Sequence, residues 1–464
     1  MLDIYSIAIM EATAQSVEDY LIEGLSFKLK PGASYITNRR SVTFFPHGGN
    51  EYSPSGVKVI KLMLTGDQWL DPSTLRLSYD LVNTATNANY NLYTTSGPWA
   101  FFRRLRIICG GQIVEDIDYY ARVHEMMHMT LPSNVRDNDD VEGFKNGLQS
   151  TSATIAQLSP LVGLPGNASQ TAIMRLLSGL LTQEKFLPIR YCPITIELEL
   201  VNNFTDAVIS QGVSIPDPAG GATPVVLGGT NSSQSWKMNN IQLKCDLCTL
   251  DNALDNEYSQ HLLSGKSLPI SYSTYVSQLA AIGQSNQNIS LTITRAFTRL
   301  KSAFITFTNT SNTGAQGGPT NPLKLEYNNF YHPMANVANR AYDSNNEMEL
   351  QLQIGSKLYP EYPCRSLQEA FYQLRKCMGL HSSTWHSMDI SSAEYRNSKF
   401  IFAIDTEKTL AAGWTGINTK AGDLTVLKAK CLGTTTANYP SACYVVLHSD
   451  QILNIRDTGV EVIE

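Results

Sequence analysis

Three well-separated stretches of this 464-residue chain alternate apolar and polar residues one for one. Over 75–82, Leu75, Leu77, Tyr79 and Leu81 fall on one side and Arg76, Ser78 and Asp80 on the other. Over 194–200, Ile194, Ile196, Leu198 and Leu200 alternate with Thr195, Glu197 and Glu199, and over 348–354, Met348, Leu350, Leu352 and Ile354 alternate with Glu349, Gln351 and Gln353. A period of two belongs to a β-strand with one covered face, and recurring strands of this kind build antiparallel sheets. Gly-, Pro- and Asn-rich stretches at 46–56, 212–229 and 311–322 read as long loops between strands. Many strands joined by long loops are the pattern of sandwiches and jelly rolls.

Two segments break the alternation in comparable places. Residues 118–131 put Tyr120, Val123, Met127 and Leu131 on one helical face ahead of Pro132, which cannot continue a helix. The second helix begins at Ser366 with Glu369 three residues on, turns Ala370, Phe371, Leu374, Cys377 and Met378 inward and stops at Gly379. Each follows a strand-rich run, 101–117 and 348–362, about half a chain apart. The chain therefore reads as two copies of one plan, although no residue-level repeat is visible. Its length suits two β domains at about 150 residues or more each. The strand 241–249 closes the first half, 251–263 is a polar helical connector, and 268–276 opens the second. The expected division is an N-terminal arm at 1–25, a first domain at 26–255 and a second at 256–464.

Charge narrows the function. Only 16 % of residues are charged and the net charge is −6. Basic residues occur as pairs such as Arg39-Arg40 and Arg103-Arg104, not as the runs that neutralise phosphates, so no nucleic-acid binding is expected. A sparsely charged surface suits a protein that buries itself against neighbours. Residues 1–15 hold two acidic residues and no basic region before an apolar core, which is not a secretory signal, and no apolar run reaches membrane-span length. With eight scattered cysteines, the expectation is folding in a reducing compartment without a disulfide framework.

His124-Glu125-Met126-Met127-His128 matches the H-E-x-x-H pattern, in which two histidines one helical turn apart hold zinc and the glutamate deprotonates a bound water. Glu142 or Glu184 could complete such a site. Against it, no Gly-x-x-His follows and the helix is a connector in a β-rich half, so these residues read as part of a structural helix. Cys245 and Cys248 form a C-x-x-C, but on the strand 241–249 they face opposite ways, giving a buried Cys245 and an exposed Cys248. Ser264-Gly265-Lys266-Ser267 ends like a phosphate loop, yet Gln260 stands where that loop needs glycine. No G-x-S-x-G is present. Neither a catalytic site, a metal nor a cofactor is expected. The competing readings are a zinc hydrolase centred on His124, Glu125 and His128, and a carbohydrate-binding β-sandwich using some of the twenty-two tyrosines.

Several stretches together carry a family resemblance. They are Phe45-Pro46-His47-Gly48-Gly49-Asn50-Glu51-Tyr52-Ser53-Pro54-Ser55-Gly56-Val57-Lys58 with Leu64 to Asp67 and Trp69 to Thr74; Gly110-Gly111-Gln112-Ile113-Val114-Glu115-Asp116-Ile117 with Tyr120, Arg122 and Glu125; Leu262 to Pro269; and Ile452-Leu453-Asn454-Ile455-Arg456-Asp457-Thr458-Gly459-Val460-Glu461. In these the chain resembles the double jelly-roll major capsid proteins of polinton-like viruses, virophages and adintovirus-like elements, and distantly those of nucleocytoplasmic large DNA viruses. The resemblance implies two tandem eight-stranded antiparallel jelly rolls with a few short helices in connecting loops. It implies a structural subunit, not an enzyme, which forms homotrimers of pseudo-hexagonal outline that tile an icosahedral shell. Partners would be further copies, penton and minor capsid proteins, with an inner membrane possible beneath the shell. The protein would reside in the virion capsid after synthesis in the host cytoplasm or nucleus.

Overall fold

The computed structural model describes residues 35–143, 164–208, 213–215, 225–227, 233–282, 288–308, 330, 332–333, 348–380, 388, 390–397, 399–409, 415–420, 424–430 and 440–464. The expected arm at 1–25 and the loop at 311–322 lie outside them.

Alternation becomes strand wherever the sequence shows it. The first eight main strands are β1 (Ile36–Phe44), β2 (Val59–Leu64), β3 (Trp69–Asn83), β4 (Phe102–Cys109), β5 (Gln112–Asp118), β6 (Ser169–Met174), β7 (Ile194–Leu200) and β8 (Trp236–Leu250). They form two antiparallel sheets, one in the order β1-β8-β3-β6 and the other β2-β7-β4-β5. The chain crosses from sheet to sheet at every step except the β4–β5 hairpin, which is the winding of a jelly roll. Leu75, Leu77, Tyr79 and Leu81 of one sheet and Ile194, Ile196, Leu198 and Leu200 of the other are all buried, so the apolar sides of both alternations enter the core. Each such side chain contributes about 1.5–3 kcal/mol on leaving water.

The second eight are β9 (Leu268–Ala281), β10 (Ile289–Ile293), β11 (Leu300–Thr308), β12 (Glu349–Ile354), β13 (Lys357–Cys364), β14 (Phe402–Asp405), β15 (Thr425–Lys430) and β16 (Ala442–Arg456). Their sheets run β9-β16-β11-β14 and β10-β15-β12-β13. Adding eight to each strand number of the first roll gives the second, so the duplication of plan is a duplication of topology. A last strand, β17 (Gly459–Ile463), hairpins back on β16. The fold is a double jelly roll, as the resemblance implied.

The helices also correspond. After β5 come α1 (Tyr120–Met129) and α2 (Ser133–Glu142); after Gly179–Thr182, the single turn α3, the connector α4 (Asn252–Leu263) links the rolls; after β13 come α5 (Leu367–Cys377) and α6 (Ser392–Asn397). Helix α5 has the expected capping box, with Ser366 Oγ accepting from the Glu369 N–H and the Glu369 carboxylate accepting from the Ser366 N–H. Among the described residues no helix is long and apolar enough to cross a membrane.

Three details differ from the sequence reading. In α1, Met126 and Met129 are buried while Met127 and Leu131 are half-buried, because the helix is enclosed on several sides and not along one stripe. The stretch 212–229 contains the hairpin Val213–Ile215 with Val225–Leu227 instead of loop alone. Cys248 is buried, not exposed: it lies opposite Trp69, whose ring packs 4.9 Å from Tyr258 of α4, so the connector covers that end of the outer face. The seven described cysteines are free thiols.

Candidate functional site

Three of the resemblance-carrying segments, 110–125, 262–269 and 452–461, far apart in sequence, meet where the two rolls join. Gly110 and Gly111 make the β4–β5 turn with φ of 53° and 87°, the double positive-φ geometry that a two-residue hairpin loop needs. A Cβ on Gly110 would stand 2.7 Å from Val460 Cγ2, so the turn tucks beneath the C-terminal hairpin of the second roll. The next strand, β5, runs along β9. Tyr272 donates its hydroxyl to the Val114 carbonyl at 3.0 Å, and Ser277 donates to that of Asp118. Here β-strand side chains satisfy carbonyls of an edge strand that has no ladder partner on that side.

Glu115 sits in the middle of this seam and is 1 % exposed. The Gly179 N–H donates to its Oε1 at 2.9 Å, and Ser178 Oγ bonds its Oε2. Burial pushes the carboxyl up to about 7, with the Ser178 and Gly179 donors pulling the other way. Gly179 allows the approach: a Cβ there would lie 1.5 Å from the Ser273 carbonyl oxygen of β9.

Arg122, on the first turn of α1, reaches across into the second roll. It donates through Nε and Nη2 to Thr306 Oγ1 at 3.2 and 3.0 Å, and through Nη2 to the Phe307 carbonyl at 3.2 Å. Its guanidinium is flanked by the rings of Phe330 and Tyr444 at 4.4 and 4.2 Å. Burial lowers its pKa to about 10, still charged at neutral pH. Aromatic faces offset part of the desolvation cost of such a cation.

On its other side α1 carries the H-E-x-x-H residues, and the structure gathers all three around the Trp99 indole. His124 stacks on Trp99 (centroids 4.0 Å, 18°) with Nε2 3.2 Å from the Arg175 carbonyl. Glu125 is buried and accepts from the Trp99 indole N–H at 2.8 Å. His128 packs on Trp99 at 4.5 Å and places Nε2 3.4 Å from Asp139 Oδ2. Burial lowers both imidazoles, His124 to about 4 and His128 to about 3, so both are neutral near pH 7. The glutamate is thus engaged with an indole, not poised as a base between the histidines. Glu142 lies 3.8 Å from Arg76, and Glu184 is exposed. Among the described residues no group of three or more His, Cys, Asp or Glu could hold a metal. This donor set does not fit a zincin centre. His124, His128, Asp139 and Glu142 line a cavity of about 320 Å³ whose remaining walls are largely apolar, including Met127, Leu131 and Leu176. Lys266 is exposed in the turn between α4 and β9.

Sequence reading placed Tyr120 on the apolar face of its helix, where it is buried, and placed Glu115 and Arg122 in a resembling segment without giving them a role.

No family model and no curated protein matches the chain. Solved structures do. The VP54 protein of PBCV-1, fitted into a reconstruction of the virophage Sputnik, is 11 % identical over 94 % of this chain and 98 % of its own, with a TM-score of 0.58. A chain of the Sputnik virophage structure is 10 % identical over 94 % and 90 %, TM-score 0.57. The Faustovirus major capsid protein is 8 % identical over 93 % and 92 %, TM-score 0.54. At this identity what is shared is the fold, and it is shared along almost the whole length of each chain.

Proposed function

We propose that this chain is a major capsid protein, a structural subunit that trimerises into pseudo-hexagonal capsomers tiling an icosahedral shell. The observation that carries the reading is the repeated strand order, two equivalent rolls locked by a buried seam. Three such chains present six similar sides, as near-hexagonal tiling requires. The end-to-end likeness to capsid proteins supports it, and the engagement of Glu125 by the Trp99 indole, with no third metal ligand beside His124 and His128 among the described residues, weighs against a hydrolase. The domain limits proposed are 1–25 for an arm, 26–255 for the first roll and 256–464 for the second. Further partners on this reading are penton and minor capsid proteins, with a membrane beneath the shell as an additional layer. The chain would act in the virion after synthesis in the host cytoplasm or nucleus.

Negative-stain imaging and sedimentation of the purified full chain test the reading. The expected result is a trimer of hexagonal outline; a monomer at every concentration and salt condition would overturn it.

A further inference from the structure

Strand β11 runs between β16 and β14, and at Lys301 its register against β16 slips. Leu300 faces Ser449 and Ser302 faces His448, which leaves Lys301 as the extra residue of a bulge. A bulge turns its unpaired side chain out of the regular alternation. Here it brings the Lys301 amine between two carboxyls, one from each flank. Nζ stands 3.6 Å from Oδ1 of Asp450, on β16, and 3.5 Å from Oε1 of Glu407, just past the end of β14. The chain beyond β14 stays beside β11, since the Thr406 N–H donates to the Lys301 carbonyl at 2.8 Å. The side chains of Lys301, Asp450 and Glu407 are 15 %, 2 % and 19 % exposed, so the three groups meet largely out of water.

An enclosed ion pair looks different. Lys399, also buried, meets the Glu394 carboxylate at 2.7 Å, the length of a charge-assisted hydrogen bond. Lys301 approaches neither of its two carboxyls that closely. It sits instead near the separation of about 3–3.5 Å from which held reactants combine. The Asp450 carboxyl is itself fixed at both oxygens: Ser273 Oγ donates to Oδ1 at 2.6 Å, and the Thr415 N–H donates to Oδ2 at 3.4 Å. A backbone N–H on that oxygen stabilises the negative charge it gains when a nucleophile adds to the carboxyl carbon. Glu407, on the other side of the amine, is the group that can carry protons between nitrogen and oxygen.

We propose that Lys301 and Asp450 condense into an isopeptide bond that joins β11 covalently to β16. Glu407 takes a proton from the ammonium and hands it to Asp450 Oδ1. The freed amine then adds to Asp450 Cγ while Oδ2 is held by the Thr415 N–H. Glu407 moves a second proton from the nitrogen to Oδ1, the Cγ–Oδ1 bond breaks, and water leaves. An ammonium and a carboxylate thereby become an amide and one water, with Glu407 restored and no oxidant or reductant consumed. The bond closes the chain between 301 and 450 into a loop that reducing conditions do not open, where the seven described cysteines are free thiols. Closing a long loop restricts the unfolded chain strongly. The inference goes beyond the capsid-subunit reading and does not depend on it.

Mass spectrometry of the denatured full chain tests the proposal. The intact mass is expected to fall short of the sequence mass by one water, and digestion is expected to yield a branched peptide joining the segments around Lys301 and Asp450. Full sequence mass with those two segments recovered as separate peptides would overturn the inference, as would a lost water that fragmentation places elsewhere. Glu407→Gln, checked for folding by circular dichroism, is expected to retain its own full mass; a branched peptide formed as in the wild type would overturn the role given to Glu407. Lys301→Met removes the nucleophile and is expected to retain full mass and to unfold at lower denaturant concentration than the wild type. Should a variant misfold, the wild-type branched peptide alone decides. Oligomeric state enters none of these readouts, so failure here and failure of the capsid-subunit reading are told apart.

Discussion

The guanidinium of Arg122 lies 4.2 Å over the ring of Tyr444, a side chain 322 positions away that belongs to the other roll. With Phe330 against it and Thr306 and the Phe307 carbonyl accepting from it, this is a charge inserted as a key between two sheets. Removing it leaves those acceptors dry. Arg122→Ala is expected to cost about 3 kcal/mol in denaturant unfolding. Arg122→Lys should recover little, since an ammonium cannot reproduce the planar fork. The loss should appear as a broadened or split transition as the rolls uncouple.

Glu115 makes stability depend on pH. Its folded pKa, about 7, stands above the ordinary value of 4.5, so its contribution is complete below pH 4.5 and is lost as pH rises through 7. The difference amounts to roughly 3 kcal/mol for a fully buried group. Glu115→Gln, which mimics the protonated form, is expected to flatten the wild-type fall in thermal midpoint between pH 5 and 8 and to exceed the wild type at pH 8. A wild-type midpoint that rises over that range would contradict this.

At Glu125 a structural role and a catalytic one predict different outcomes. Because its carboxylate accepts from Trp99, Glu125→Gln keeps an acceptor in place and should unfold within about 1 kcal/mol of the wild type. Glu125→Ala strands a buried indole N–H and should lose about 1–3 kcal/mol. Elemental analysis of the folded chain is expected to find no stoichiometric zinc.

Gly179 tests the closeness of the seam. With its hypothetical Cβ 1.5 Å from the Ser273 carbonyl, Gly179→Ala forces β9 away from α3, and a loss of about 3 kcal/mol is expected. Hydrogen exchange should quicken along β9 and β5 while the β2–β7 ladder stays protected.

Alternation made most of the architecture legible, because a residue such as Leu198 can only alternate with Glu197 and Glu199 if one face is dry. The capping box at Ser366 and Glu369 was equally local and equally readable. What local pattern did not reveal is whatever depends on contact across the chain. Cys248 looked exposed because nothing in 241–249 announces that Trp69 and Tyr258 cover it. Glu115 and Arg122 carried no role in the sequence because their partners, Ser178 and Thr306, are 63 and 184 positions distant. The letters His124, Glu125 and His128 matched a motif whose meaning depends on where their atoms point, and Trp99 decides that.

Helix α4 ties the rolls together, and the tether acts on their encounter. Two surfaces joined by a twelve-residue helix meet at a fixed high effective concentration, so the β5–β9 seam can form at any dilution and need not bind tightly of itself. A like seam between separate chains would have no such help and would form only above a threshold of free protein.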